Sequence, residues 1–529
     1  MRVAAVQFAA GEDIPANLAT CLRMIDAAAA EGAELIVLPE FCNHLSWYDA
    51  KVTAHRLACR LDDAFLGAIA ERAVRHGAHV KVNVTLAREG GRTTGTSLLY
   101  GPDGALLGAS DKLTLMGAEG DHLDPGQEAG PVIGTPLGRI GLYACMEGVT
   151  SDVCRDLTVR GAQLLLNSLN SFATDEASLH IPVRAAENKV WVVAANKVGP
   201  LLPEALLPAI GERLGVPPEW LHGAGESQIV APDGTVVAKG PRTGEAVVVA
   251  DIDVSAADAK ERPDGTHILR ARRPALYRPI TSRPRERTAP PGADSATVAV
   301  VTGGDPLALT ASAAGAGADL IVLPEDAFGG SDHAEVAAAL AAALAGTEAH
   351  AVTSAGGSGL LVGARGLAGV QKKLHGTGDP GDGVRIFELP WGRLAIVVGD
   401  DAIHPETFRL AAIADADAVA VPFTPAEAWE TALGLPERSA ENRLNVVAAG
   451  PGTGLVLDLT SDFTLWTAWN GPFTGRISHP LVTVADGDLT FGKIHPAQAV
   501  NRHVSKNTDL VNGRAWHALT ALSKDGLSA

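Results

Sequence analysis

A nine-residue run, Gly32-Ala-Glu-Leu-Ile-Val-Leu-Pro-Glu40, returns later in the chain as Gly317-Ala-Asp-Leu-Ile-Val-Leu-Pro-Glu325 with one change. Further on, Gly138-Arg139-Ile140 matches Gly392-Arg393-Leu394 at an offset of 254. The same offset carries Ala186-Glu187-Asn188-Lys189 onto Ala440-Glu441-Asn442-Arg443, and Val192–Ala195 onto Val446–Ala449. A constant offset between separated matches means that the elements between them were kept without net insertion. The repeating unit is far longer than the 20–50-residue periods of solenoids, so the pattern is a tandem duplication. A chain of 529 residues is in any case too long for one ordinary core. The expected division is a unit over 1–280, a linker over 281–296 dominated by Pro, charge and small residues, and a second unit over 297–529. The second unit restarts with the strand-like Thr297-Val-Ala-Val-Val301.

Within the first unit, Val3–Phe8 reads as a strand and Pro15 to Gly32 as a helix. Leu18, Cys21, Leu22 and Ile25 fall at i, i+3, i+4 and i+7, and Gly32 is placed to stop the turn. Leu35–Leu38 is a continuous apolar strand, Ala64–His76 a second helix, and Gly161–Asn167 and Val190–Ala195 are strands flanking another helix. Gln228 to Ala238 reads as a hairpin around Pro-Asp-Gly, followed by the strand Ala246–Ile252. Strands alternating with helices and then hairpins predict a layered α/β domain.

Charge and composition narrow the partners. A net charge of −18, with no basic stripe, argues against nucleic acid and anionic membranes. No apolar run approaches the ~18–20 residues needed to span a bilayer. The opening Met1–Phe8 run meets Gly11-Glu12-Asp13 and is too short for a signal peptide. Five cysteines (Cys21, Cys42, Cys59, Cys145 and Cys154) form an odd set without metal-ligand spacing, which fits a reducing cytoplasm.

Three residues carry candidate chemistry, and each closes a short apolar run. Glu40 ends Leu-Ile-Val-Leu-Pro-Glu; Lys112 follows two strand-like runs around Pro-Asp-Gly; Cys145 ends Gly-Arg-Ile-Gly-Leu-Tyr-Ala-Cys and precedes Met146-Glu147-Gly148. A thiol with an ordinary pKa near 8.5 needs activation before it attacks an amide. A buried carboxylate whose pKa is raised by desolvation can take that proton. A lysine and a backbone N–H, here Lys112 and that of Met146, can hold the charge developing on the carbonyl oxygen.

These residues, in this order, resemble the carbon–nitrogen hydrolase (nitrilase) superfamily. The resemblance covers essentially all of the first unit, including Gly225–Ile229 and Arg272–Tyr277. It implies an α-β-β-α sandwich in each copy, no cofactor and no metal, and small-molecule amide, N-carbamoyl or nitrile substrates cleaved through a thioester. By the resemblance Cys145 is the nucleophile, Glu40 the general base and Lys112 the stabiliser of the tetrahedral intermediate. A second glutamate seven or eight residues past the lysine points to Glu119, with Asp121 close enough to compete. Asn170 and Ser171 match the substrate-facing loop by position. Glu147 either shapes the amine site or caps the helix that follows. In the nitrilase branch the cysteine is followed by Trp-Glu-His, whereas Met146-Glu147-Gly148 shares the Glu alone, which favours an amidase. A nitrilase and an acyltransferase using the same triad are the enzyme alternatives, and a non-catalytic scaffold is the alternative from another class.

The second copy departs at the chemistry. The 254 offset sets Gly399 opposite Cys145 and Asp401 opposite Glu147, and no cysteine follows Cys154. Glu325 and Lys373 remain, but Pro380 stands seven past that lysine. From glutamate to lysine the spacing falls from 72 to 48 residues, and from lysine to the nucleophile position from 33 to 26. The expectation is a catalytically dead copy that pairs with the first as an internal pseudo-dimer, leaving higher oligomers open. The insert from Gly199 to His222 is placed to act as a lid or specificity loop.

Overall fold

The computed structural model describes residues 1–329, 332–376, 380–460 and 475–524; the last five residues of the expected second unit lie outside this set. The first half contains two six-stranded sheets. Its strands are β1 (Arg2–Gln7), β2 (Leu35–Val37), β3 (His79–Ala87), β4 (Thr93–Tyr100), β5 (Leu106–Asp111) and β6 (Val132–Thr135). They continue with β7 (Gly138–Ala144), β8 (Leu164–Leu169), β9 (Trp191–Asn196), β10 (Gln228–Val230), β11 (Val236–Lys239) and β12 (Ala246–Asp251). One sheet runs β12-β1-β2-β3-β4-β5 and the other β11-β10-β9-β8-β7-β6. In each, a parallel centre (β1-β2-β3 and β7-β8-β9) is flanked by antiparallel strands.

Strand alternation builds the layers. Val3 and Ala5 of β1 face the inter-sheet core with Leu142, Leu164 and Leu166, while Ala4 and Val6 face the helices Ile14–Ala30 and Ala64–His76. The first of these helices is narrower than the spacing predicts. Asp13 caps its start by accepting from the Ala16 N–H, and it ends at Ala30 because Gly32 adopts φ +83°.

The second half repeats the plan with two more six-stranded sheets. One is centred on Ala296–Val301, Leu320–Val322 and His350–Ala355, the other on Gly392–Ile396, Ala418–Pro422 and Asn445–Gly450. The fold is therefore two tandem α-β-β-α sandwiches. Backbone irregularities repeat as well: positive φ recurs at Phe41 and Asp326, at Cys145 and Gly399, and at Lys189 and Arg443. The expected linker lies against the second half, held by Arg285 on Asp415 (2.8 Å) and by the Ala293 N–H on the Trp391 carbonyl (2.8 Å).

Helices Ser151–Val159 and Ile181–Asn188 are buried on every side, which a surface helix is not. Their side chains meet those of Pro405–Ile413 and Leu435–Asn442 of the second half through ion pairs. Charge crosses this plane in reciprocal pairs. Arg184 reaches Glu441 (3.0 Å) and Arg438 reaches Glu187; Arg155 meets Glu406 (3.4 Å) and Arg409 meets Asp152 (3.1 Å). Each pair maps onto its counterpart by the 254 offset.

Candidate active site

The two sheets of the first half present their strand ends to one point. β2 leads into Glu40, β5 into Lys112, and β7 into Cys145. Glu40 and Lys112 are fully buried, and the Lys112 ammonium sits 2.8 Å from Glu40 Oε1. The same ammonium donates to both oxygens of Glu119, at 3.0 and 2.9 Å. Glu119 also accepts from the Met116 N–H (2.8 Å), which fixes its carboxylate. Asp121 points elsewhere, so it is Glu119 that the fold sets against the lysine.

Cys145 has φ 48° and ψ −109°, a sparsely populated conformation for a residue with a Cβ. Its N–H donates to the Ser168 carbonyl and to Asn167 Oδ1, both at 3.0 Å, and its carbonyl accepts from the Gly148 N–H at 2.7 Å. A strained turn between strand and helix projects the thiol, as nucleophile elbows do. The helix that follows begins at Met146, whose N–H lies in the first turn and so has no intrahelical acceptor.

Burial dominates the electrostatics. It raises the Glu40 pKa to about 7 despite Lys112, and beyond the ion pair neither oxygen accepts a hydrogen bond. Burial, seconded by the Glu40 charge, also pushes the Cys145 thiol up, so a free thiolate does not accumulate. Burial alone would lower the lysine, but the carboxylates of Glu119 and Glu40 overcome it and keep Lys112 cationic. The group is thus a neutral thiol beside a carboxylate that changes protonation near neutrality, with a fixed positive charge between two acids.

The remaining candidates divide. Asn170 lines the cavity above Cys145, and its Oδ1 is buried without a partner. Met146 is buried beneath the turn. Ser171 is pinned away from the cavity: its N–H donates to Asn196 Oδ1 (3.1 Å) and its hydroxyl accepts from the Ala173 N–H (3.2 Å). Glu147 is held by the backbone on both oxygens. Its two oxygens accept the Leu113 and Ala144 N–H groups, each at 2.8 Å, tying the lysine loop to the nucleophile turn. Asp401 does the same service in the second half, accepting from the Leu374 and His375 N–H groups at 2.7 and 2.8 Å. Cys21, Cys42 and Cys154 are core residues.

Two buried lysines near Glu40 carried no sequence signal beyond an interruption of apolar strands. Lys81 donates to the Ser168 hydroxyl, which in turn donates to the Leu38 carbonyl, joining both sheets below the site. Burial lowers its pKa to about 7, and that of Lys197 to about 8.

A cavity of about 250 Å3 opens over Cys145 and Glu119. Its lining includes Trp47 and Phe172 together with Leu201, Ile210 and Leu221 from the insert between Gly199 and His222. The insert has its own small core of Leu207 and Leu221, backed by Leu202, Ile210 and Val216.

At the equivalent place in the second half, a Cβ on Gly399 would overlap the Glu325 carboxylate. Lys373 has turned to Asp400. Gly399→Cys is therefore expected to restore no activity: in a Cys145→Ala background, ammonia release stays at the uncatalysed level.

A buried thiol next to a carboxylate–ammonium–carboxylate clamp, on the strand ends of an α-β-β-α sandwich, defines the class of enzyme. Residues 2–262 match the carbon–nitrogen hydrolase family, and the chain is a carbon–nitrogen hydrolase of the nitrilase superfamily through this half. Curated relatives each match about half of the chain. A nitrilase from Pyrococcus abyssi is 25% identical over 261 residues, covering 49% of this chain and 92% of the relative. An N-carbamoylputrescine amidase from Solanum tuberosum is 26% identical, covering 52% and 93%. Omega-amidase NIT2 from Xenopus tropicalis is 27% identical, covering 52% and 96%. Among solved structures, an amidase from Nesterenkonia sp. is 21% identical with a TM-score of 0.40, covering 49% of this chain and 92% of that one.

No helix among the described residues is long and apolar enough to cross a membrane.

Proposed function

We propose that the first half hydrolyses an amide or N-carbamoyl compound through a thioester on Cys145. The observation that carries this reading is the clamp itself: one ammonium held by Glu40 and Glu119 beside a strained, buried cysteine. Glu40 takes the thiol proton as sulfur attacks the carbonyl carbon. Lys112 and the Met146 N–H stabilise the oxyanion, and Glu119 holds the lysine in place. Glu40 then gives its proton to the leaving nitrogen, so ammonia or an amine departs and the acyl group stays on sulfur. Water, deprotonated by Glu40, adds to the thioester carbonyl; collapse expels the thiol and frees the acid. The relatives named as amidases support an amide or carbamoyl substrate. The test is ammonia release from a panel of amides, N-carbamoyl compounds and nitriles, beside Cys145→Ala. Turnover of nitriles alone would replace the amidase reading, and acyl products that change with added amine would replace hydrolysis by transfer.

The proton inventory sets the pH dependence. Glu40 works as the carboxylate, and its pKa stands near 7, so protonation removes the base as pH falls. kcat/KM should drop about tenfold per unit on the acid side of pH 7 and level off above it. A rate independent of pH between 5 and 8 would exclude Glu40 as the base.

The second half, in this proposal, is a built-in partner without chemistry of its own. The reciprocal arginine–carboxylate pairs and the lost nucleophile support that reading. Five free thiols support a reducing compartment such as the cytoplasm.

A further inference from the structure

The loop between Lys112 and Glu119 is gripped by the second half of the chain. His503–Ser505 and Thr508–Asp509 form a short hairpin that pairs Ser505 with Thr508. It turns through Lys506 and Asn507, the latter at φ 61°, a conformation that asparagine tolerates. Val504 and Leu510 pack with Met146, Val149 and Ala173, which seats the hairpin against the nucleophile turn. From there the buried Thr508 meets the loop with both functions of its hydroxyl. Oγ1 accepts from the Gly117 N–H (2.8 Å). Its own proton has the Leu115 carbonyl as the nearer acceptor, at 3.1 Å against 3.3 Å for the Lys506 carbonyl. The approach suits glycine: Gly117 has φ 54°, and a Cβ there would lie 2.6 Å from Ser505 Oγ. Between the two gripped groups stands Met116, whose N–H holds Glu119 (2.8 Å), and Glu119 accepts from the Lys112 ammonium through both oxygens. The path from Thr508 to the ammonium therefore runs through the loop backbone and the Glu119 carboxylate, with a hydrogen bond at each step.

We propose that Thr508 is a positioning residue for the first half's reaction: its hydroxyl holds the loop so that Glu119 keeps Lys112 aimed at the developing oxyanion. The inference rests on the hydrolase reading and deepens it. The ammonium is shared between two acids, since Glu40 Oε1 lies 2.8 Å from it on the other side. When the loop shifts, Glu119 recedes and the lysine settles on Glu40. The cation is then drawn away from the carbonyl oxygen, which slows the chemistry. Glu40 meanwhile loses the repulsion of a neighbouring carboxylate and keeps a closer cation, so it stays ionised to lower pH. The titratable groups acting on Glu40 are Lys112, Glu119, Lys81, Lys197, Cys145 and Glu147, and of these it is Glu119 that stands beyond the gripped segment. The second half holds the loop after Asn170 as well. There the Gly475 carbonyl accepts from the Thr174 N–H (2.7 Å), and Asp175 accepts from the Ile477 and Ser478 N–H groups (2.8 and 3.1 Å). A half that has lost its own nucleophile thereby keeps a part in the reaction.

The test measures ammonia release from a primary amide that the native chain hydrolyses, between pH 5 and 8, beside the Thr508→Val and Thr508→Ser variants of the full chain. Valine keeps the shape and removes the hydroxyl, so kcat should fall about 10- to 100-fold with KM changed by less than about threefold. The acid limb of kcat/KM should move down by about half a unit or more, because the Glu119 charge that raises Glu40 has receded. Thr508→Ser keeps the hydroxyl and should restore both. A merely structural role would lower the melting temperature and leave the limb in place. If Thr508→Val does not fold, Gly117→Ala disturbs the same contact from the loop side and should give the same pair of effects. A folded variant of either kind with native kcat, or with an unmoved acid limb, overturns the inference and leaves the hydrolase reading standing. So does a loss in Thr508→Val that Thr508→Ser shares. No ammonia from any primary amide, together with a Cys145 inert to iodoacetamide, overturns both.

Discussion

Cys145→Ala will abolish ammonia release from every amide that the native chain hydrolyses, a loss on the order of 10^4-fold or more, while the fold persists. The side chain is small and buried, and its removal leaves the Glu40–Lys112–Glu119 clamp in place. What disappears is the only atom able to carry the acyl group between the two half-reactions. Alanine also relaxes nothing at the turn, because the positive φ is enforced by the hydrogen bonds of the Cys145 N–H and carbonyl to Ser168, Asn167 and Gly148. Kinetics with a matched melting curve check this. A variant that retains turnover would remove the thiol from the mechanism.

The second large effect lies far from the chemistry. Arg184, Glu187, Arg438 and Glu441 form a fully buried square between the two halves, joined by Glu437. Desolvation of these ions is severe, and each is held by at least two opposite charges. Removing one member, as in Arg438→Ala, leaves Glu187 and Glu441 with Glu437 to share the single Arg184 guanidinium in the core, an excess of buried negative charge that should cost about 3–5 kcal/mol. Chemical denaturation checks it by the shift in midpoint. Replacing Arg438 by Met together with Glu187 and Glu441 by Gln should recover much of that loss, since the unmatched charges are then gone. A single variant as stable as the native chain would mean that the halves do not depend on this plane.

The sequence disclosed those parts of the site that end strands. Glu40, Lys112 and Cys145 each close an apolar run, and strand ends converge in an α/β sandwich, so their meeting followed from local patterns. Glu119 was reachable by spacing, although only the fold separates it from Asp121, which turns outward to Lys506. Glu147 was legible as a residue of interest and ambiguous in role. Its partners are backbone N–H groups of Leu113 and Ala144, and a backbone donor 34 residues away leaves no mark in a sequence. Lys506 and Ser505 were invisible for a stronger reason. They approach Asp121 and Cys145 across more than half the chain, by a docking of two halves that local periodicity does not encode. The collapse of the second site is similar: the loss of cysteine could be read, but not that Glu325 fills the space it left.

A thioester on Cys145 is detected by mass spectrometry of the chain acid-quenched during turnover of a primary amide. The expected result is a mass increase equal to the acyl group less one hydrogen, located on the peptide that contains Cys145 and absent from Cys145→Ala. Rapid turnover with no adduct on that peptide, alongside an active Cys145→Ala chain, would contradict it.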